Sequence, residues 1–128
     1  MTHSFPLRVY YEDTDLAGIV YYANYLKFIE RARSEWVREM GIDQTQMKAE
    51  GFVFAVRRIE ADYLMPARYD DQLVVETEMV ENSGVRLIVR QEVKRAGVTL
   101  FAALVTIICM NAAGAVARLP AAIRRSIH

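Results

Sequence analysis

A cluster of acidic residues precedes the longest helical pattern in the sequence, and its residue types suit catalysis at a carbonyl group. Glu12, Asp13 and Asp15 are followed by Gly18 and then by the start of the helix. Backbone N–H groups at a helix N-terminus lack intrahelical acceptors and lie at the positive end of the helix dipole, so they can stabilise an oxyanion. A carboxylate just upstream could attack a carbonyl held there, or deprotonate a water molecule beside it. This arrangement indicates acyl transfer.

Two other interpretations of the same acids stay open. Acidic residues before a helix also stabilise it by capping and by their interaction with the helix dipole, and a Glu-Asp-Thr-Asp run is often no more than that. Alternatively, Asp13 and Asp15 could bind a metal ion. No histidine or further clustered carboxylate supports such a site, so we expect neither a metal nor a cofactor.

Nucleophilic catalysis by serine or cysteine has no plausible general base in this sequence. The two histidines, His3 and His128, lie at the chain termini, where order is usually poor. Cys109 lies in an apolar run and is expected to be a small core residue. The sequence contains no Gly-x-Ser-x-Gly motif, no glycine-rich phosphate loop and no zinc-type spacing of cysteine and histidine. Carboxylates therefore remain as the catalytic groups.

The elements that must position these acids are a strand and a long helix. Residues 5–11 predict a strand that runs into the acidic loop. Residues 24–40 predict a helix that Gly41 would end, and residues 43–51 could add a short helical turn capped by Asp43. Apolar residues at spacings of three and four define the buried face of the long helix: Leu26, Ile29, Ala32, Trp36, Val37 and Met40.

The second half of the sequence predicts four strands, at residues 52–64, 72–81, 85–94 and 98–110. The last of them does not alternate in polarity, which is typical of a strand covered on both faces or of one at an oligomer interface. One helix offers a single apolar stripe, and a sheet of this size curls around it. The predicted fold is therefore α+β, an antiparallel sheet wrapped around one long central helix, in a single domain over residues 1–128.

The composition favours a cytoplasmic protein and excludes several other classes. With 53% hydrophobic residues and 16 basic against 16 acidic residues, the chain can form a core and lacks the basic excess of a nucleic-acid binder. One cysteine cannot form an intramolecular disulfide. The first residues do not resemble a signal peptide, and the longest apolar run, residues 100–110, is too short for a membrane span, which needs roughly 20 residues.

The charges are unevenly distributed along the chain. Residues 85–128 carry basic side chains with Glu92 as their single acid, whereas most acids precede them. These arginines could be solvated or paired with acids of the first half. Alternatively, they could form a partly basic entrance for a polyanionic ligand.

The acidic segment and several later motifs resemble a known family. The sequence R-V-Y-Y-E-D-T-D-L-A-G-I-V-Y-Y-A-N-Y, at residues 8–25, is similar to the signature of the 4-hydroxybenzoyl-CoA thioesterase family. It is closest to the YbgC-type subfamily of bacterial acyl-CoA thioesterases. The resemblance spans nearly the whole chain through four further motifs: F-I-E-R-A-R at 28–33, V-R-R at 56–58, P-A-R-Y-D-D at 66–71 and R-L-P at 118–120.

This resemblance implies a hotdog fold and the hydrolysis of acyl-CoA thioesters at sites on a homodimer interface, with a homotetramer as the alternative assembly. The aspartate before the A-G-I-V segment, Asp15, would act as nucleophile or general base. The backbone N–H of Tyr22 would polarise the thioester carbonyl. The YbgC-type pattern usually has histidine where Tyr22 stands, an exchange that keeps the backbone donor but removes any side-chain role. Glu30 is a second possible catalytic carboxylate, although a pairing with Arg31 or Arg33 fits it better.

Further residues are candidates for substrate binding. Gly18 lies in the signature, and Tyr25 could line the acyl pocket or be a core aromatic residue. Arg57, Arg58 and Arg86 are candidates for contacts with the CoA phosphates, because guanidinium groups match phosphate oxygens; solvated strand positions are the alternative.

A binding function is the alternative to hydrolysis. The YbgC-type group is associated with the Tol-Pal envelope system and with proteins of phospholipid synthesis. The chain could therefore hold acyl carrier protein or an envelope-associated partner with little turnover. A hotdog dehydratase fits less well, because those enzymes usually need a histidine that this chain lacks internally.

Overall fold

The computed structural model describes residues 2–126, so His128 lies outside the described range. A short 3-10 turn at Tyr11–Asp13 follows the first strand. The helices are α1 (Asn24–Glu39), α2 (Gln44–Ala49) and α3 (Ala121–Arg124). The strands are β1 (Thr2–Arg8), β2 (Phe52–Tyr63), β3 (Gln72–Asn82), β4 (Arg86–Arg95), β5 (Val98–Asn111) and β6 (Val116–Ala117).

The strands form one antiparallel sheet in the order β1-β3-β4-β5-β2, and the short β6 pairs with the end of β5. Tight turns join β3 to β4 and β4 to β5, because these strands follow one another directly in sequence. By contrast, β2 and β3 lie on different sides of the β4–β5 pair. The segment between them therefore crosses one end of the sheet, where it meets the acidic loop.

The core lies between α1 and one face of the sheet. Tyr25, Phe28, Ile29 and Ala32 turn inward from α1, at spacings of three and four. Alternate residues of β3, β4 and β5 meet them, since side chains of a strand alternate between its two faces. Burying each large apolar side chain of this set contributes about 1.5–3 kcal/mol. The predicted arrangement of a sheet wrapped on one helix is confirmed.

The predicted ends of the helices agree closely with the structure. The chain leaves α1 through Gly41, whose φ of 85° is a left-handed conformation that favours glycine. Asp43 caps α2 as predicted, because its carboxylate accepts hydrogen bonds from the N–H groups of Thr45 and Gln46 at 2.9 and 3.2 Å. The buried face of α1 is shifted, however. Leu26 is exposed, and Tyr25 and Phe28 face the core instead.

The N-terminal strand differs from the prediction. β1 covers residues 2–8 rather than 5–11, because the chain turns into the 3-10 helix after Val9, whose N–H donates to Asp71 O at 2.9 Å. His3 is part of this ordered strand, opposite Thr77, and its imidazole contacts the Glu39 carboxylate. The expected disorder at His3 is therefore wrong. The short β6 and α3 were not predicted, since neither has enough residues to show a period.

The two faces of β5 differ in burial. Phe101, Val105 and Ile107 face α1 and are buried, whereas Leu104 and Thr106 on the opposite face are half-buried. In contrast, β2 is an edge strand whose residues are mostly exposed on both faces. Its backbone has no neighbour on the outer side among residues 2–126.

Candidate active site

Asp15 begins a tight turn between Thr14 and Val20, which pair in an antiparallel bridge. Its N–H donates to Ile19 O at 2.9 Å and its carbonyl accepts from Gly18 N–H at 3.0 Å. The Oδ1 atom accepts from Ala17 N–H at 2.9 Å, whereas Oδ2 has no hydrogen-bond donor among residues 2–126. Asp15 is exposed. One carboxylate oxygen is thus held by the turn and the other is available to react.

Gly18 has a conformational role in this turn. Its φ of 80° lies in the left-handed region, and no atom lies within 4 Å of the position that a Cβ would take. Glycine is required here because of the backbone conformation of the turn, and not because neighbouring atoms would clash with a Cβ. The predicted contact between Gly18 and a substrate stays a prediction.

The three acids of the segment occupy different environments. Asp13 is buried, and its Oδ2 accepts from Tyr10 N–H at 2.7 Å. Its carbonyl accepts from Tyr21 N–H at 2.9 Å and from the Asn24 side chain at 3.0 Å. Asp13 therefore holds the loop together, but its carboxylate does not cap α1 as the capping interpretation expected. Glu12 is exposed and makes no side-chain hydrogen bond among residues 2–126.

The turn that leads into α1 lies beside this loop. Thr14 pairs with Val20. Tyr22 lies two residues after Val20 and two residues before the start of α1 at Asn24. No acceptor for the N–H of Tyr22 or of Ala23 is found within the described range, and no side chain there caps this end of the helix. These donors lie at the positive end of the dipole of α1. The geometry is suited to a developing oxyanion.

An aromatic depression of about 340 Å³ adjoins the start of α1. Its polar groups are few, and Tyr22, Tyr25 and Tyr63 supply three of its walls. The remaining lining residues are Ile19, Val20, Leu64, Met65 and Pro66. Because Ile19 belongs to the turn that begins at Asp15, the carboxylate and the depression share one loop.

Tyr25 is mainly a core residue that also lines this depression. It is 3% exposed, and its ring stacks on Phe101 with 4.9 Å between centroids. Its hydroxyl accepts from Ala67 N–H at 3.0 Å, and Ala67 O in turn accepts from Val20 N–H at 2.8 Å. Burial raises the pKa of Tyr25, which keeps the hydroxyl protonated. Tyr25 is thus a core aromatic residue, and its contact with an acyl group stays a prediction.

The predicted phosphate-binding arginines come together, but away from Asp15. Arg57, Arg58 and Arg86 line a depression of about 510 Å³ on the sheet face opposite α1. Arg58 pairs with Glu60 at 2.6 Å and Arg86 with Glu81 at 3.1 Å. Tyr63, which lines the aromatic depression, lies five residues beyond Arg58 along β2. At the rise per residue of a strand, this separates the two by roughly 17 Å. Arg86 therefore pairs with an acid of the first half, as the pairing alternative predicted, whereas Arg58 pairs with a neighbour on its own strand.

Glu30 does not form either predicted ion pair. Its carboxylate accepts from the Ser34 hydroxyl at 3.0 Å, one turn further along α1. Neither Arg31 nor Arg33 forms a salt bridge with it in the part of the chain that the structure describes. Ser34 lies four positions from Glu30 on the same face of α1, so its hydroxyl can bind the carboxylate in place of an arginine.

Comparison with known proteins identifies the family. A family model described as the thioesterase superfamily matches residues 17–102. The chain belongs to the thioesterase superfamily. It is 42% identical to the acyl-CoA thioesterase YbgC of Haemophilus influenzae, over 84% of this chain and 80% of that protein. Asp15 itself lies just before the range that the superfamily model matches.

Solved structures of the thioesterase superfamily share the fold. A probable thioesterase from Bartonella henselae superposes with a TM-score of 0.89 at 37% identity, over 94% of this chain and 100% of that one. A mutant 4-hydroxybenzoyl-CoA thioesterase complexed with 4-hydroxybenzoyl-CoA has a TM-score of 0.88 at 21% identity, over 97% and 96% of the two chains. The predicted hotdog fold and family are confirmed.

Sequence reasoning missed Tyr63 as a residue of this site. It is the last residue of β2, and its hydroxyl reaches the backbone of Tyr22. The only sequence signal was an aromatic residue at the end of a predicted strand, which does not indicate which segment it meets. Sheet order decides that contact.

Other candidate chemistry is sparse in this structure. No group of three or more His, Cys, Asp or Glu that could hold a metal ion occurs among residues 2–126. Cys109 is buried in the core as predicted, and burial raises the pKa of its thiol. Within the same residues, no helix is both long and apolar enough to cross a membrane.

Proposed function

We propose that this chain hydrolyses acyl-CoA thioesters to the free acid and CoA, with Asp15 as the nucleophile or general base. The observation that carries the proposal is the exposed Asp15 carboxylate, which lies in the same loop as the aromatic depression and next to the uncapped start of α1. A relative with 42% identity named an acyl-CoA thioesterase supports the substrate class.

The chemistry needs few groups. A thioester carbonyl near the start of α1 would accept from the N–H of Tyr22, which stabilises the tetrahedral oxyanion. As a general base, Asp15 would take a proton from the attacking water and pass it to the departing thiolate of CoA. As a nucleophile, it would form a mixed anhydride and expel CoA thiolate, and water would then hydrolyse the anhydride.

Exchange of Asp15 tests this assignment. Asp15→Asn keeps the shape and the turn but removes the charge, so thioester hydrolysis should fall by about a thousandfold or more in an assay of CoA release with acyl-CoAs of several lengths. Glu12→Gln is the matched control, since it removes an exposed acid three residues away, and it should retain activity. Full turnover by a folded Asp15→Asn variant would refute the proposal.

The two roles of Asp15 differ in the source of an oxygen atom. In ¹⁸O-water under single-turnover conditions, a general base gives acid product that carries ¹⁸O. A nucleophile gives unlabelled product in the first turnover when water attacks the aspartyl carbonyl, and the label then stays on Asp15. Mass spectrometry of the product and of the Asp15 peptide separates the two.

A homodimer is the proposed assembly. β2 is a 12-residue edge strand, and its exposed apolar side chains include Val53, Val56, Ile59 and Tyr63. A long edge with unpaired backbone groups is a template for pairing with another strand. Pairing of β2 with its symmetry copy would continue the sheet and place both depressions near the interface. A homotetramer would need a second contact surface.

Several other predictions from the sequence accompany this proposal. Phosphate binding by Arg57, Arg58 and Arg86, association with acyl carrier protein or Tol-Pal proteins, and a cytoplasmic location stay predictions. Capture of acyl carrier protein by Asp15→Asn, together with negligible turnover of every acyl-CoA by the native chain, would favour the binding function.

A further inference from the structure

A second cavity lies on the helix side of the sheet, towards the other end of α1 from the Asp15 loop. It has a volume of about 190 Å³ and opens between the second half of α1, α2 and the start of β2. Most of its walls are apolar side chains: Trp36, Val37, Phe54, Val56, Leu87, Ile107 and Ile123. Arg33 is the positively charged residue of the lining.

Arg33 is half-buried in this cavity with little compensation for its charge. Its Nη1 donates to Gln91 Oε1 at 3.0 Å. A guanidinium has five N–H groups, and among residues 2–126 no other acceptor and no carboxylate within 4.0 Å is found for Arg33. Burial lowers the pKa of Arg33, and the negative charge of Glu30 offsets only part of that effect. An anion would relieve this cost.

The orientation of Arg33 is set by buried neighbours. Gln91 is fully buried, and its Nε2 donates to Ile29 O and to Thr77 Oγ1, each at 2.9 Å. With its amide group held from both sides, Gln91 must present Oε1 to Arg33. The guanidinium is therefore held in place before any ligand arrives, which reduces the entropic cost of binding.

The acid of the cavity lining offsets the charge of Arg33 only in part. Glu30 lines the rim, but it is exposed and accepts from the Ser34 hydroxyl. The interior thus combines apolar walls with one unpaired cation. A ligand that fits it has an apolar body and a single negative charge with planar oxygen acceptors, because Arg recognises carboxylates in that geometry.

We propose that this cavity binds small monocarboxylates, with the carboxylate on Arg33 and the hydrocarbon chain between Trp36 and Phe54. At about 30 Å³ for each water-sized group, the volume accommodates roughly six non-hydrogen atoms, the size of butanoate. This ligand class includes short acids of the kind that thioester hydrolysis releases. Within one chain, the cavity and Asp15 lie towards different ends of α1, so the binding test does not need the proposed hydrolysis. Val56 of the cavity wall also belongs to the β2 edge, so the cavity borders the proposed homodimer interface.

Titration calorimetry with butanoate tests the site on the full chain. Butanoate should bind, and butanamide, its neutral isostere, should bind roughly ten- to a hundredfold more weakly, because a charge-assisted hydrogen bond is lost. Arg33→Met should weaken butanoate binding by a similar factor. Arg38→Met is the matched control, since Arg38 is exposed on the same helix and pairs with Glu35 at 2.8 Å, and it should bind as the native chain does.

A second pair of variants keeps the test decisive if Arg33→Met does not fold. Gln44 lies at the mouth, so Gln44→Trp should block butanoate entry with Arg33 in place, whereas Gln46→Trp on the same helix should not. Asp15→Asn should bind butanoate normally even if it abolishes hydrolysis.

Three results would overturn the proposal. The first is equal binding of butanoate and butanamide. The second is unchanged butanoate binding in Gln44→Trp. The third is a fall in molecular mass on adding butanoate, measured by light scattering, because that would mean that a carboxylate of a second copy normally fills the cavity.

Discussion

The hydroxyl of Tyr63 donates a hydrogen bond to the backbone carbonyl oxygen of Tyr22 over 2.9 Å. The bond joins the end of edge strand β2 to the turn that leads into α1, across 41 positions of sequence. It orients the peptide group that connects Tyr22 to Ala23, at the helix end with unpaired N–H groups. An edge strand thus helps to orient the Ala23 N–H, which neighbours the Tyr22 N–H of the proposed oxyanion site.

Removal of the Tyr63 hydroxyl should lower both catalysis and stability. Tyr63→Phe deletes one hydrogen bond, whose net contribution is about 0.5–1.5 kcal/mol, so kcat/KM for an acyl-CoA should fall roughly two- to tenfold. Tyr69→Phe is the control, because the Tyr69 hydroxyl makes no hydrogen bond within residues 2–126 and is exposed. Equal effects of the two variants on kcat/KM would contradict the role of the Tyr63 hydroxyl.

A charge on the exposed edge should change the state of assembly. Ile59 lies in the middle of β2 and is exposed in the single chain. Ile59→Lys would bury a lysine at the proposed interface, so light scattering should show single chains where the native protein shows two. Val74→Lys places the same charge on an exposed position of the internal strand β3, and its mass should match that of the native protein. A native mass for Ile59→Lys would exclude pairing through β2.

Acid should weaken the segment between β2 and β3 through Asp71. Its Oδ2 accepts from Arg95 Nη1 at 2.6 Å and from Arg68 N–H at 2.8 Å. Burial raises the pKa of Asp71, but the hydrogen bonds from Arg68 and Arg95 and the charges of both outweigh it and hold the pKa below its usual range. The resulting stabilisation is fully present above about pH 4, the unfolded value, and is lost as the pH falls through the folded pKa.

The difference in melting temperature between the native protein and Asp71→Asn should therefore decrease in acid. At pH 7 the variant should melt at a lower temperature than the native protein, and the two melting temperatures should converge as the pH falls below about 4, as followed by circular dichroism. Asp70→Asn is the control, since Asp70 pairs with Arg8 at the exposed surface, where ion pairs contribute little. A constant difference at every pH would rule out the Asp71 carboxylate as the titrating group.

Local patterns in the sequence were sufficient to predict most elements. The helix at residues 24–40 and four later strands agree with α1 and β2–β5 to within a few residues. Gly41 and Asp43 act as predicted because their effects on a helix end depend on residues close by in sequence. The predicted bounds of β1 were wrong because the end of this strand depends on a backbone contact between Val9 and Asp71.

The roles of individual acids could be predicted only in part. Asp15, Asp13 and Glu12 are alike in type and adjacent in sequence, yet the first is exposed at a turn, the second is buried and the third is solvated. The family resemblance singled out Asp15. The hydrogen bonds that separate it from Asp13 come from the turn and from Tyr10.

By itself, the sequence determined the fold class, the family and the loop that carries the proposed catalysis, because periodicity, turn residues and motifs are local properties of the chain. Only the tertiary structure decided that Tyr63 meets Tyr22, that Glu30 bonds to Ser34 instead of an arginine, and that Arg33 rests on Gln91 in an apolar cavity. The contacts of Tyr63 and Arg33 join residues 41 and 58 positions apart. Such pairs form when the order and register of the whole sheet are set, and those depend on how all strands pack on α1 together.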